Sequence, residues 1–320
     1  INIGDMLDNG TVMNGKLIES PKSFQVACTV VTQIIAAVAS SQYGGQSVNV
    51  SHLGKYLRRS RDKFRRLLRE KLGDELSEEM MEKIVEVRLR DELKSGVQTI
   101  QYQINTLMTT NGQSPFVTLF LYLDDNDEYI DENAMIIEEI LKQRYEGIKN
   151  EKGVYVTPAF PKLIYVLDEN NCLNGGKYDY ITRLAVKCSS KRLYPDYISA
   201  KKMREHYEGN VFSPMGCRSF LSPWKDENGN YKFEGRFNQG VVSINLPQIG
   251  IIAKGDEGKF FKLLDERLEL CYEALMCRHR ALEGTLSDVS PIHWQYGAIA
   301  RLKKGEKIDK LLHGGYSTIS

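Results

Sequence analysis

The stretch FVTLFLYL (residues 116–123) decides the fold class of this chain. Its β-branched and aromatic residues favour the pleated surface of a sheet, so it predicts a buried strand. A helical pattern follows at residues 131–145, and a second buried strand is expected at residues 163–167. Because strands alternate with helices, the sequence predicts an α/β architecture.

Helical patterns surround these strands. Residues 24–39 are apolar on nearly every face, which predicts a helix buried by the sheet, with Ser20 as its N-cap and Pro21 at its first position. Residues 77–94 predict a second, amphipathic helix, whereas residues 98–105 fit either a helix or a strand.

Residues 52–71 predict a strongly basic helix. Its basic side chains include Arg58, Arg59, Arg61, Lys63, Arg65, Arg66 and Arg69. Such a charge run is usually a helix face in contact with water. The alternative is a surface that binds an anionic effector or a second subunit, and the sequence leaves both open.

The charge balance argues against several classes of function. Lys and Arg number 43 against 42 Asp and Glu, a net charge of +1, so nothing indicates a general binder of DNA, RNA or membrane surfaces. No apolar run approaches the ~20 residues of a membrane span. The six cysteines form no CxxC pair and are typical of reduced thiols. We therefore expect a cytoplasmic protein.

Two common nucleotide-binding motifs, GxGxxG and GxxxxGK[ST], are absent. An acidic turn contains Asp124, Asp125, Asp127 and Glu128. It lacks EF-hand spacing, so we expect it to face water rather than bind a metal.

Both ends of the chain indicate a piece of a longer polypeptide. The chain begins Ile1-Asn2-Ile3, in a strand-like pattern and without Met. It stops at Ser320, in another strand-like run that follows Gly314-Gly315.

A closely specified loop surrounds one cysteine in the C-terminal half. Residues 211–224 read VFSPMGCRSFLSPW, in which Pro214, Gly216 and Pro223 bracket Cys217. Proline fixes φ and glycine adopts conformations closed to other residues, so the segment predicts a rigid loop.

A turn at residues 226–230 and a strand at residues 241–244 are expected after this loop. Residues 258–281 then predict a helix with Cys271 in its packed apolar stripe. His279 falls in the last turn of that helix, where a basic side chain favours the helix dipole.

Cys217 has several possible roles. A free cysteine is most often a small buried hydrophobe. A nucleophilic thiolate would need a base, and His206 and His293 are the candidates, although neither has a hydrolase context. A radical cysteine needs no base, only a rigid tip and a dry pocket, and Phe212, Met215 and Phe220 flank the loop in a way that suits this use.

Longer strings of the sequence carry a resemblance. They are MGCRSFLSPW and GRFNQGVVSINLP, which contain Cys217 and Asn238, together with SSQYGGQS (residues 40–47), QTIQYQINTLMTTNGQSPFVT (residues 98–118) and HGGYSTIS (residues 313–320). These strings resemble the anaerobic, class III ribonucleotide reductases. Members of that family are glycyl-radical enzymes that make deoxyribonucleotides from ribonucleoside triphosphates.

The resemblance implies specific residue roles. Cys217 matches the thiyl-radical cysteine that removes the ribose 3′ hydrogen, and Asn238 matches the asparagine that hydrogen-bonds the ribose hydroxyls as water leaves C2′. The implied substrate contacts are Ser40, Ser41, Gly44, Gly45, Met215, His313, Gly314, Gly315 and Tyr316. From the residues alone, residues 40–47 fit a helix end followed by a turn as well as they fit a substrate contact. His313 likewise fits a turn-stabilising role as well as a substrate contact.

The resemblance also implies a fold and partners. The fold would be a ten-stranded α/β barrel of two parallel five-stranded halves, with residues 1–320 as the catalytic barrel portion and the barrel incomplete in this fragment. Formate would be the reductant and a radical-SAM enzyme the activator of a glycyl radical. That radical, a zinc site, a first cysteine and an ATP cone would lie outside this chain, which would not turn over alone. A homodimer with ATP or dNTP effectors is implied.

Two rival functions remain from the sequence. A glycyl-radical acyltransferase or eliminase would share the barrel and its cysteine loop. A non-catalytic fragment for nucleotide binding or dimerisation would need no radical. Binding of nucleoside triphosphates distinguishes the reductase from the other glycyl-radical enzymes.

Overall fold

The structure is a computed structural model, and it describes residues 1–110, 112, 114–215 and 219–319, with only the main chain at residue 74. Its helices are α1 Ile3–Asp8, α2 Phe24–Ser40, α3 Gly54–Leu72, α4 Glu78–Thr106, α5 Ile130–Glu146, α6 Glu169–Cys172, α7 Asp179–Arg192, α8 Ala200–His206, α9 Leu246–Ala253, α10 Glu257–Leu282 and α11 Pro291–Trp294. Its strands are β1 Thr11–Met13, β2 Lys16–Ile18, β3 Gln46–Asn49, β4 Val117–Leu121, β5 Ile148–Lys149, β6 Tyr155–Val156, β7 Lys162–Leu167, β8 Asp196–Ser199, β9 Phe237–Asn238 and β10 Ser317–Thr318. The chain divides into two compact units, Ile1–Phe220 and Leu221–Ser320.

The first unit is built on a parallel sheet in the order β3-β4-β7-β8. Val48 pairs with Leu119 and Leu119 with Leu163, while Tyr165 pairs with Tyr197 on the last strand. Parallel neighbours need long crossovers, and α5 and α7 lie in the connections after β4 and β7. The predicted α/β class with strands near residues 116–123 and 163–167 is confirmed. The strand at β8 was missed.

Helices cover one face of this sheet. Gln46 of β3 donates from Nε2 to the Ile35 carbonyl of α2 at 2.8 Å, and the Tyr165 hydroxyl of β7 lies 2.9 Å from Thr182 Oγ1 of α7. Side chains alternate along a strand, so the same face carries Leu119 and Leu163, which share a small cavity with residues of α4 and α5. This face therefore holds the main core.

Helices α2 and α4 pack closely because a glycine lies between them. A Cβ on Gly96 would lie 2.6 Å from Phe24 Cε1 and 3.0 Å from Cys28 Sγ, so only glycine fits without displacement. The region of residues 98–105, which the sequence left open, continues α4 as helix.

Two predictions for the N-terminal part of the chain differ from the structure. Helix α2 begins at Phe24 because the Ser23 hydroxyl, rather than Ser20, accepts from the Val26 amide at 3.4 Å. The strand-like start at residues 1–3 is wrong, since Asn2 caps α1 by accepting from the Asp5 amide at 3.0 Å. A polar cap at position 2 therefore overrides the β propensity of the flanking isoleucines.

Two predictions for the second unit are also wrong. Residues 241–244 form no strand, and Asn245 instead caps the unpredicted helix α9 by accepting from the Gln248 amide at 3.0 Å. Cys271 is half-buried rather than part of a packed stripe, and none of the residues of α10, all of which are described, is buried. The apolar spacing predicted the helix correctly, but a helix alone does not supply a surface to pack against.

The helices in the described part of the chain bear on membrane spanning. No helix there combines the length and the apolar character needed to cross a bilayer.

Candidate functional site

The loop predicted to carry the chemistry is described only on its two flanks. Gly216, Cys217 and Arg218 lie outside the described residues. On either side of them, the Met215 amide donates to the Ser219 carbonyl at 2.8 Å. We call residues 211–215 and 219–220 the loop stem, and this bond joins its two sides.

The loop stem lies on the face of the sheet opposite the helices. Ser47 of β3 alternates with Gln46, and its hydroxyl donates to the Pro214 carbonyl at 2.6 Å. Val211 packs against a buried cluster that includes Phe120 and Val166 of the neighbouring strands. A hydrogen bond from a side chain of β3 and apolar contacts with β4 and β7 thus hold the same segment.

Aromatic rings brace the loop stem. The ring centroid of Phe212 lies 5.0 Å from that of Tyr207 and 5.7 Å from that of Phe220. Edge-on ring pairs of this kind add to the stability gained from burial. Phe212 is buried and Met215 half-buried, whereas Phe220 is 38% exposed, so the predicted apolar surroundings are strongest before the cysteine.

A polar cluster that the sequence did not reveal lies at the carboxyl ends of β4 and β7. Arg204 binds both carboxylate oxygens of Asp168, with Nη1 to Oδ1 at 2.8 Å, and donates to the Tyr122 hydroxyl at 3.0 Å. Burial raises the pKa of Asp168, but the bonds from Arg204 outweigh it and hold that pKa below its usual value. Burial, with the charge of Asp124, raises the pKa of Tyr122 to about 12. The carboxyl ends of parallel strands are where α/β proteins bind ligands. The position of Tyr122 and Asp168 at the carboxyl ends of predicted strands was therefore the sequence feature that could have indicated this cluster.

In the second unit, Asn238 lies in the short parallel pair β9–β10. Phe237 pairs with Ser317 and Asn238 with Thr318. The Asn238 side chain accepts from the Gly240 amide at 2.9 Å, which fixes the orientation of its Oδ1 atom. Asn238 is half-buried, so it is neither a core residue nor fully exposed.

The HGGY segment stabilises a turn against a tryptophan. Nδ1 of His313 accepts from the Gly315 amide at 3.1 Å, and its carbonyl accepts from the Tyr316 amide at 2.9 Å. A Cβ would lie 2.7 Å from Trp224 Cδ1 at Gly314 and 2.9 Å from Trp224 Cε3 at Gly315. Packing against the indole therefore explains both glycines. The hydrogen bonds of His313 support its turn-stabilising role.

Arg236 connects this turn to the residues after the loop, and sequence reasoning missed it. It is buried, and its Nη2 donates to the carbonyls of Ser222 and Gly314 at 2.7 and 2.8 Å. Burial lowers its pKa. A guanidinium with two carbonyl partners orders both segments at once.

The SSQYGG segment ends α2 and starts β3 in the first unit. The Ser40 hydroxyl accepts from the Thr110 amide at 3.4 Å, and the Ser41 hydroxyl donates to the Ala37 carbonyl at 3.0 Å. Gly44 has φ of +86°, a conformation that other residues rarely adopt. Helix ending and turn formation thus account for these residues, while Gly45 precedes β3 directly.

The basic helix α3 is paired with acidic side chains on its neighbours. Glu132 of α5 is almost fully buried and binds Arg58 at 2.9 Å and Arg61 at 2.6 Å. Arg65 binds Glu82 of α4 at 2.6 Å. Several arginines of this helix are therefore already paired with carboxylates.

The acidic turn makes local hydrogen bonds. Asp127 accepts from Asn133 Nδ2 at 2.8 Å, and Asp125 accepts from Asn170 Nδ2 at 2.8 Å. Over the described ranges, no three or more His, Cys, Asp or Glu side chains come close enough to hold a metal ion.

A family model for the anaerobic ribonucleoside-triphosphate reductases matches residues 1–320. The chain belongs to this family. The anaerobic ribonucleoside-triphosphate reductase of Enterobacteria phage T4 is 39% identical over 330 residues, covering 100% of this chain and 52% of the phage protein. The Escherichia coli K12 reductase is 39% identical over 326 residues and is covered to 44%. The chain thus spans about half the length of these reductases.

Solved anaerobic reductases share the fold. The Thermotoga maritima enzyme with dATP in its specificity site superposes with a TM-score of 0.59 at 14% identity, over 92% of this chain and 47% of that one. The same enzyme with dATP and CTP gives a TM-score of 0.54 at 15% identity, over 87% of this chain and 44% of that one. At these identities the likeness concerns the arrangement of strands and helices.

Proposed function

We propose that this chain is the catalytic-barrel portion of a cytoplasmic anaerobic reductase that converts ribonucleoside triphosphates to deoxyribonucleoside triphosphates. The observation that carries the proposal is the loop stem on the sheet face opposite the helices, within a chain whose full length matches the reductase family. A rigid segment that approaches Cys217 from both sides suits a side chain that must be held in one position.

In this reaction Cys217 acts as a hydrogen-atom carrier. Its thiyl sulfur takes the hydrogen from ribose C3′, the 2′-hydroxyl leaves as water, and the hydrogen returns to C3′ at the end. Formate supplies the two electrons, so substrate, formate and a proton yield the deoxynucleotide, carbon dioxide and water. A glycyl radical outside this chain, formed by a radical-SAM activating enzyme, supplies the unpaired electron.

Asn238 binds the substrate ribose during the loss of water. Its Oδ1 accepts from the Gly240 amide, which orients the side-chain amide, and an amide NH₂ group is a suitable donor to a ribose hydroxyl. The nucleotide is held by Ser40, Ser41, Gly44, Gly45, Met215, His313, Gly314, Gly315 and Tyr316. The half-buried position of Met215 supports a contact with the sugar or base.

The complete protein closes a ten-stranded barrel of two parallel halves and works as a homodimer regulated by ATP or dNTPs. Four parallel strands with helices on one face support the first half of such a barrel. The zinc site of the complete protein would lie beyond this chain, as the family resemblance implies.

The test uses the complete, activated reductase. Cys217→Ala should abolish deoxynucleotide formation from each ribonucleoside triphosphate, while the glycyl-radical signal in electron paramagnetic resonance persists. The matched control is Cys172→Ala, which removes an exposed thiol and should leave turnover unchanged. Deoxynucleotide output that survives Cys217→Ala would end the radical assignment.

A second measurement separates the reductase from other glycyl-radical enzymes. Calorimetry should detect binding of a ribonucleoside triphosphate to the complete protein. The absence of heat with all four, in a protein that carries its glycyl radical, would favour an acyltransferase or eliminase.

A further inference from the structure

The residue after Asn238 connects its strand to the last turn of α10. Gln239 Oε1 lies 2.8 Å from His279 Nδ1, and Gln239 Nε2 donates to the Ser317 hydroxyl at 2.6 Å. A carbonyl oxygen only accepts, so His279 Nδ1 carries the proton in this pair. One side chain thus joins β9, β10 and α10.

This contact lies on the face of the strand opposite Asn238. Side chains alternate along an extended chain, so Phe237 and Gln239 share one face and Asn238 points to the other. Phe237 is anchored by the Trp294 ring, with centroids 5.0 Å apart. Gln239 is the polar anchor on the same side, and its main-chain amide also donates to the Thr318 carbonyl at 2.9 Å.

The main chain after Asn238 is held equally closely. A Cβ on Gly240 would lie 2.5 Å from Arg278 Cδ, so the side chain that precedes His279 packs directly on this backbone. The Gly240 amide is also the donor to Asn238 Oδ1. Movement of the last turn of α10 would therefore move the group that orients the asparagine.

We propose that Gln239 and His279 are positioning residues for Asn238. They do not touch the substrate, and they act by fixing the strand that presents the asparagine amide. The inference rests on the proposed reductase function, because it needs Asn238 to bind the ribose in the step where water leaves.

The test compares Gln239→Met, which keeps the size and removes both hydrogen bonds, with Gln239→Glu, which keeps the acceptor for His279. In the complete reductase we expect Gln239→Met to lower kcat about 10-fold with KM within about twofold, since a misplaced catalytic group is felt mainly in the transition state. Gln239→Glu should keep kcat within about threefold of wild type, because the bond to His279 remains. The control Arg280→Ala changes the charge of the same helix turn and should leave kcat unchanged.

The pair should also behave as one unit. Combining Gln239→Met with His279→Ala should lower kcat no further than either change alone. Independently of turnover, hydrogen exchange at the Gln239 amide should be about 10-fold faster in the double variant, because the β9–β10 pairing loosens.

The outcomes separate the two hypotheses. If Cys217→Ala is inactive but Gln239→Met keeps kcat within twofold of wild type, the positioning inference fails and the reductase function stands. Equal losses in Gln239→Met and Gln239→Glu would also overturn it, since the bond to His279 would then be irrelevant. Retained turnover in Cys217→Ala would instead remove the proposed function.

Discussion

The two units of the chain differ in how far the apolar side chains of their helices are buried. In the first unit Phe24, Ile34 and Tyr165 are completely buried. In the second unit all 26 residues of α10 are described and none is buried, with Phe261 59% and Tyr272 58% exposed. Both units contain long helices with apolar residues at helical spacing, so the sequence pattern does not separate them.

The difference shows what a helix needs besides its own pattern. Helices α2 and α4 pack against each other and the sheet within the first unit, so their apolar faces leave water and contribute about 25 cal/mol per Å². Helix α10 contacts chiefly α9. The second unit instead buries its loops around Ile308 and Leu311.

The largest expected effect tests this contrast with the same substitution in both units. Phe24→Ala should lower the free energy of unfolding by about 4 kcal/mol, because it empties a filled site. Phe261→Ala should change it by less than about 1 kcal/mol, since the ring is mostly in water. Denaturant midpoints measured by circular dichroism check both. Equal losses would show that α10 has a buried face.

Charge removal should show a similar contrast. Glu132→Gln removes the buried carboxylate that Arg58 and Arg61 share, so that Arg58 keeps only Glu128, and should cost about 3 kcal/mol. Its counterpart in the second unit is Glu306→Gln, which breaks an exposed pair with Lys310 and should leave the midpoint unchanged. A large shift for Glu306→Gln would mean that the second unit depends on surface charge.

The two units should also lose stability in different pH ranges. Burial lowers the pKa of His293 to about 4, so the unfolded state binds more protons between that value and ~6.5. The contribution of neutral His293 to the stability of the second unit is then fully present above pH ~6.5. The free energy of unfolding should fall by about 3 kcal/mol as the pH drops to 4. Asp168 and Glu132, with lowered pKa values, keep their contribution to the first unit until the pH falls below about 4.

Tryptophan fluorescence measures the second unit selectively, because both tryptophans, Trp224 and Trp294, lie in it. Urea midpoints at pH 7.5, 6 and 5 should decline in the wild-type chain. In His293→Asn the decline should be much weaker, and an unchanged slope in that variant would assign the pH dependence to another group.

The smallest expected effects are the changes in stability on replacing two helical glycines by alanine, which should have opposite signs. Gly96→Ala should destabilise by about 1–3 kcal/mol, because the new methyl group meets Phe24 and Cys28. Gly250→Ala should stabilise by about 0.5 kcal/mol, because a Cβ there meets nothing and alanine favours the helix. Calorimetric melting temperatures are the measurement, and the same sign for both would contradict the packing difference.

Local patterns predicted much of the first unit. The strand at residues 116–123, the helix at 131–145 and the helix at 24–39 were predicted close to their observed bounds, because the residue types and their spacing within each run are enough to indicate its conformation. The strand at residues 241–244 was wrong because β propensity has no effect without a partner strand, and none pairs with it among the described residues.

The candidate site was only partly predictable. Cys217 and Asn238 were identified from the residue strings around them, which resemble those of a known family, and their roles stay predictions. Asp168 and Arg204, or Gln239 and His279, lie 36 and 40 residues apart and share no motif. Such pairs can be identified only from the folded structure, which brings the ends of strands and helices into contact.

The sequence by itself determined the α/β class, the family and the position of the cysteine loop, because periodicity and long matching strings are local properties of the chain. The tertiary structure alone decided that the loop stem bonds to Ser47, that arginines of the basic helix pair with acidic side chains of its neighbours, and that Gly314 and Gly315 pack against Trp224. These facts depend on which distant residues meet, and that is settled by packing rather than by spacing along the chain.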